Sequence, residues 1–114
     1  MRFEDPLPAI QVREIPDPMP ADMAVLDVRE TYEWVAGHAP GAIHIPLGEL
    51  PGRTEEVPPG RVLVVCHVGG RSAHATVFLR RQGVDAVNLT GGMAAWQAAR
   101  RPLVSETSGP ATVD

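Results

Sequence analysis

One cysteine, Cys66, stands at the head of the run Cys66-His67-Val68-Gly69-Gly70-Arg71-Ser72. The paired glycines permit tight turns and leave backbone N–H groups uncovered by side chains. A helix starting at about Ser72 adds unpaired N–H donors and a partial positive charge. Together these make a concave anion site, to which Arg71 adds a full charge. A cysteine facing such a site has its pKa lowered, toward the range of about 3.5–7.5 found for thiols at helix N-termini, and the thiolate is the reactive form. The chemistry this allows is nucleophilic. Once the thiolate takes up sulfur, the same donors can hold a terminal persulfide anion or the sulfonate end of an incoming donor. Cysteine phosphatases use a similar cradle, so the loop alone leaves phosphoryl chemistry open. A cysteine that merely ends a buried strand as a small hydrophobe is the bland alternative.

Other polar residues are supporting candidates. Asp27 and Arg29 sit at the end of an apolar run, where Asp27 is expected to help order the cysteine loop and Arg29 to form a surface ion pair with Glu33. Both are read as structural support. Ser72 belongs to the first turn of its helix, with no acidic or histidine partner placed to activate it as a nucleophile. His44 and His74 show no ligand spacing with the other histidines, so neither a metal nor a cofactor is expected. Met93 and Trp96 are expected to pack the last helix, and Gly91 and Gly92 to allow that helix to start close to the active rim.

The elements that must position these residues follow from the apolar pattern. Ala9 to Glu14 is a strand candidate among the crowded early prolines, and Ala24 to Val28 reads as a buried strand. Glu30 to Ala36 is a short helix, with Gly37 expected in the left-handed position that often ends one. Ala42 to Ile45 is a brief strand stopped by Pro46, and Pro51 to Gly60 is a surface loop. Val62-Leu63-Val64-Val65 is apolar on both faces, as suits a central parallel strand. A helix from about Ser72 to Gln82 follows, with Ala73, Ala75, Val77, Phe78 and Leu79 on its apolar side and Gly83 at its end. Val87 to Leu89 is the last strand and Gly92 to about Arg100 the last helix. Alternating strands and helices predict an α/β fold with a parallel sheet covered on both faces. Ligands of such sheets bind beyond the carboxyl ends of the strands, where Cys66 lies.

Composition bounds the rest. The 114 residues suit one domain. With 44% hydrophobic but only 4% aromatic residues, the core must rest on aliphatic side chains. A net charge of −4 argues against a nucleic-acid partner. No apolar run reaches the roughly 18–20 residues a bilayer requires, so no membrane partner is expected. Met1 to Pro6 lacks the apolar stretch of a signal peptide, and one cysteine gains nothing from an oxidising compartment. The expectation is a cytoplasmic protein.

Several segments in order resemble the rhodanese family: Leu26-Asp27-Val28-Arg29-Glu30, Gly37-His38-Ala39-Pro40-Gly41-Ala42, Ile45-Pro46-Leu47, the strand and loop through Arg71-Ser72, and Asn88-Leu89-Thr90-Gly91-Gly92 with Trp96. The resemblance implies a rhodanese-like fold, with a small central parallel sheet of about five strands flanked by helices on both faces. It covers roughly Ile10 to Leu103, so the domain is expected over 8–104, and Ser105 to Asp114, being small and polar, is expected to be a disordered tail. It implies transfer of sulfane sulfur, from thiosulfate or a similar donor, through a persulfide on Cys66. The acceptor is cyanide in vitro and a thiol or protein in the cell. Residues His67 to Ser72 then form the anion-binding loop, and His38 is a structural loop histidine. The loop from Cys66 to Arg71 counts six residues, as in the family's sulfurtransferases; related phosphatases and arsenate reductases carry seven. A sulfur carrier serving a protein partner is the alternative reading, and a phosphatase or arsenate reductase a more distant one. Many members carry arginine where this chain has His67. Histidine titrates near neutrality, so its help in binding an anion should fade as pH rises.

Overall fold

The computed structural model describes residues 7–113. Met1 to Pro6, read above for a leader, and Asp114 lie outside the described residues. Five strands form one sheet: β1 (Ala9–Ile10), β2 (Met23–Asp27), β3 (Ile43–His44), β4 (Arg61–Val65) and β5 (Asp85–Leu89). Their order is β1-β5-β4-β2-β3, and every neighbouring pair is parallel. Three helices complete the fold: α1 (Thr31–Ala36), α2 (Gly70–Arg81) and α3 (Gly92–Ala98).

Side chains alternate across a strand, so β4 feeds two cores. Val62, Val64 and Cys66 pack with Leu26, Val28, Ile45, Ala75 and Leu79 on the α2 face. Leu63 and Val65 pack with Val87, Leu89, Met93 and Trp96 on the α3 face. The expected α/β sheet with both faces covered is therefore present. Cys66 faces α2 because it keeps step with Val62 and Val64.

Local differences have local causes. The first strand candidate stops at Ile10, where Gln11 opens a 3-10 turn (Val12–Glu14); its N–H donates to the Glu14 carboxylate at 2.7 Å. Two 3-10 turns, Leu47–Gly52 and Thr54–Glu56, lead into and occupy part of the expected loop from Pro51 to Gly60. The buried stripe of α2 is Ser72, Ala75, Thr76 and Leu79, while Ala73 and Val77 are only partly covered. That places a serine, at helical spacing, directly beneath the sheet's carboxyl edge.

Gly37 is not left-handed: its φ is 175°, an extended value open to any residue. What demands glycine there is the C-terminal segment, because a Cβ on Gly37 would lie 2.2 Å from the carbonyl oxygen of Thr112. The expectation of a disordered tail from Ser105 is thereby corrected. Val104 and His38 exchange backbone hydrogen bonds, both 2.9 Å, Glu106 N–H donates to Val35 O at 3.0 Å, and Thr112 N–H donates to Ala36 O at 2.9 Å. Val113 is buried in the α3-side core, its N–H donating to the Gln97 side chain at 2.9 Å. The carbonyls ending α1 need partners, and the tail supplies those of Val35 and Ala36.

Candidate active site

Cys66 follows β4 directly, and only 1% of its surface is exposed. Two groups bring the sulfur its donors. Gly69 N–H points at Sγ from 3.1 Å, and the Ser72 hydroxyl lies 3.3 Å from it. Burial pushes the Cys66 thiol up. The Ser72 hydroxyl and the backbone N–H groups of Ser72, Gly69 and Arg71 outweigh that, and the net effect is a pKa below that of an ordinary thiol.

The far side of the loop is pinned by α3. Met93 N–H donates to Cys66 O at 2.8 Å and Ala94 N–H to His67 O at 2.9 Å. With both carbonyls turned toward α3, the N–H groups of Gly69, Arg71 and Ser72 are left to face the sulfur. This close approach requires Gly92, whose φ is +57° and whose Cβ, if present, would lie 2.4 Å from Cys66 O. The expected role of the Gly91-Gly92 pair is thus given a specific contact. Met93 and Trp96 are core residues, as their sequence positions suggested.

Arg71 is part of the loop, but its guanidinium is engaged by Glu33 of α1, at 2.6 and 3.0 Å. The Arg71 side chain hydrogen bond holds the Glu33 carboxyl below the usual carboxylate range, against the opposing effect of burial. Arg29 does not take Glu33. Instead it forms a buried pair with Asp27, with guanidinium–carboxylate distances of 2.7–3.1 Å, and also donates to Gly37 O at 2.7 Å. Asp27 and Arg29 therefore brace the segment after α1, and both Asp27 oxygens are occupied by Arg29. His44 Nε2 meets Arg29 O at 2.8 Å. His38 Nδ1 meets Trp34 O at 2.8 Å, and its ring stacks on Trp34 at 3.5 Å. His67 is partly exposed, and Val68, 64% exposed, stands at the rim.

Two site residues take roles that the sequence alone does not give. Glu33 pairs with Arg71 rather than with Arg29. Asn88 reaches the site because β5 runs in register with β4, placing Asn88 beside Val64 and hence on the same face as Cys66. Its Oδ1 lies 2.5 Å from the Ser72 hydroxyl, and its Nδ2 donates to Gly69 O at 3.3 Å. Among the described residues, no group of three or more His, Cys, Asp or Glu is arranged to hold a metal. No helix there is long and apolar enough to cross a membrane.

The family described as Rhodanese-like domain matches residues 12–99. The chain is 35% identical over 82 residues to YtwF of Bacillus subtilis, provisionally named a sulfurtransferase, covering 71% of this chain and 80% of that one. It is 40% identical over 74 residues to YrkF of the same organism, provisionally named a sulfur carrier protein, covering 63% of this chain but only 40% of that one. Among solved structures, a rhodanese-related protein from Thermoplasma volcanium superposes with a TM-score of 0.79 at 31% identity, covering 85% of this chain and 97% of that one.

Proposed function

Because the chain belongs to the Rhodanese-like domain family, we propose that it transfers sulfane sulfur and that Cys66 is the residue that carries it. A sulfur-transfer role is what the family and its named relatives support. The observation that carries the finer reading is the convergence of Gly69 N–H, 3.1 Å away, and the Ser72 hydroxyl, 3.3 Å away, on one nearly buried sulfur.

In this reading the Cys66 thiolate attacks the outer sulfur of thiosulfate or a similar donor. A new Sγ–S bond forms, the donor's S–S bond breaks, and sulfite leaves with the electron pair. An acceptor nucleophile then attacks the outer sulfur of the persulfide. The Sγ–S bond breaks and the Cys66 thiolate returns. Backbone N–H groups of the loop His67 to Ser72 stabilise the anionic sulfur at each stage. No second cysteine is present to resolve the persulfide internally, so the acceptor is external. Cyanide serves in vitro, and a thiol or a protein in a reducing cytoplasm.

A carrier that unloads only onto a protein partner is the second reading, favoured by the likeness to YrkF and by the engagement of Arg71 with Glu33. Thiocyanate formation from thiosulfate and cyanide separates the two. Rapid turnover lost in Cys66→Ala supports the enzyme. A persulfide inert to cyanide but discharged onto a protein thiol supports the carrier. Hydrolysis of an aryl phosphate without any sulfur uptake would overturn both.

A further inference from the structure

We infer that Asn88 is a positioning residue for Cys66: its carboxamide competes with the sulfur for the single proton of the Ser72 hydroxyl. The inference rests on the reading of Cys66 as a reactive thiolate.

The argument is an inventory of donors. Ser72 has one O–H and two neighbours that would accept it, Cys66 Sγ at 3.3 Å and Asn88 Oδ1 at 2.5 Å. The amide is not free to turn, because its Nδ2 donates to Gly69 O at 3.3 Å; a flip would set Oδ1 against that carbonyl, acceptor to acceptor. Ser72 is fully buried and Asn88 nearly so, which leaves little room for water to intervene.

For the thiol the polarity is consistent throughout. Cys66 S–H donates to Ser72, Ser72 O–H to Asn88 Oδ1, and Asn88 N–H to Gly69 O. For the thiolate, Ser72 must turn its proton to Sγ, and Asn88 Oδ1 then faces a lone pair across 2.5 Å. A buried acceptor without a donor is costly. Asn88 therefore keeps the Cys66 thiolate more basic than Ser72 and the loop amides alone would make it. A more basic thiolate is a stronger nucleophile. When Sγ is bonded to a second sulfur it no longer needs the proton, which returns to Asn88.

The test reads the titration of Cys66 itself, by the pH midpoint of iodoacetamide alkylation and by thiolate ultraviolet absorbance. It uses Asn88→Leu and Asn88→Asp, each with and without Ser72→Ala. Asn88→Leu should lower the midpoint, raising the thiolate fraction at a fixed pH below it by about threefold to tenfold. Asn88→Asp should raise the midpoint, because a carboxylate holds the Ser72 proton and adds like charge. In the Ser72→Ala background, Asn88→Leu should move nothing. Arg71, paired with Glu33 on α1, is coupled to the sulfur by charge, and His67 is its chain neighbour. Both are common to all variants, so their effects cancel. Asn88→Ala serves in place of the leucine if circular dichroism shows Asn88→Leu to be unfolded. A raised or unmoved midpoint in Asn88→Leu, or an equal shift without Ser72, would overturn the inference and leave Asn88 as a brace for Gly69. Sulfur uptake plays no part in this readout, so failure of the sulfur-transfer reading is seen separately.

Discussion

Arg71 sets Nη1 and Nη2 against the two carboxylate oxygens of Glu33, at 2.6 and 3.0 Å, across 38 residues of sequence. The only arginine of the cysteine loop is therefore held, and largely neutralised, from α1. A fork-to-fork pair of this kind fixes orientation as well as charge. In the proposed sulfur-transfer reading, anion binding then falls chiefly to the backbone N–H groups.

Glu33→Gln should expose the Arg71 charge to the pocket. The expected outcome is a lower apparent KM for thiosulfate, by about threefold at low ionic strength and fading with added salt. Arg71→Gln should raise KM. Steady-state kinetics at two salt concentrations checks both, and a higher KM in Glu33→Gln would mean that the pair serves to aim the guanidinium at the donor.

The same pair makes a stability prediction with a definite sign. Arg71 holds the folded Glu33 carboxyl below its unfolded range, so the stabilisation is present above that range and lost as pH falls through the depressed value. Glu33→Gln should cost about 1 kcal/mol near neutrality, since the pair is only partly buried. The cost should shrink in acid. Urea unfolding of both proteins across that range is the measurement, and a cost independent of pH would contradict the assignment.

Cys66 should alkylate with a pH midpoint below that of a free thiol. Burial alone would push it above, but the Ser72 hydroxyl and the N–H donors of Ser72, Gly69 and Arg71 prevail. Above the midpoint the rate should be flat; below it the rate should fall about tenfold per pH unit as the thiol reprotonates. A midpoint at or above the ordinary thiol value would mean that desolvation wins.

Gly37→Ala should release the C-terminal segment, because the new methyl would meet Thr112 O at 2.2 Å. Limited proteolysis should then cut within 105–113 while leaving the sheet intact. A tail as resistant as the parent's would show that the backbone at Gly37 yields instead.

The strand, cysteine loop and helix between Arg61 and Arg81 were legible in sequence because their signals are local: an apolar run, a glycine pair and a helical apolar pattern. The parallel sheet followed from alternation alone. The tail was not legible, since its order comes from backbone bonds to Val35 and Ala36 and from the burial of Val113, nine residues beyond the His38–Val104 bridge. Glu33 had two arginines within plausible reach, and only the buried Asp27–Arg29 pair explains why Arg71 takes it. Asn88 reads locally as an ordinary polar strand residue; its role appears only when the β4–β5 register sets it on the face of Cys66.

The central claim is that Cys66 carries sulfur, and intact mass after incubation with thiosulfate tests it most directly. The account predicts a gain of one sulfur atom, removed by cyanide and absent in Cys66→Ser. An unchanged mass with thiosulfate and with an organic persulfide donor, or an equal gain in Cys66→Ser, would contradict it.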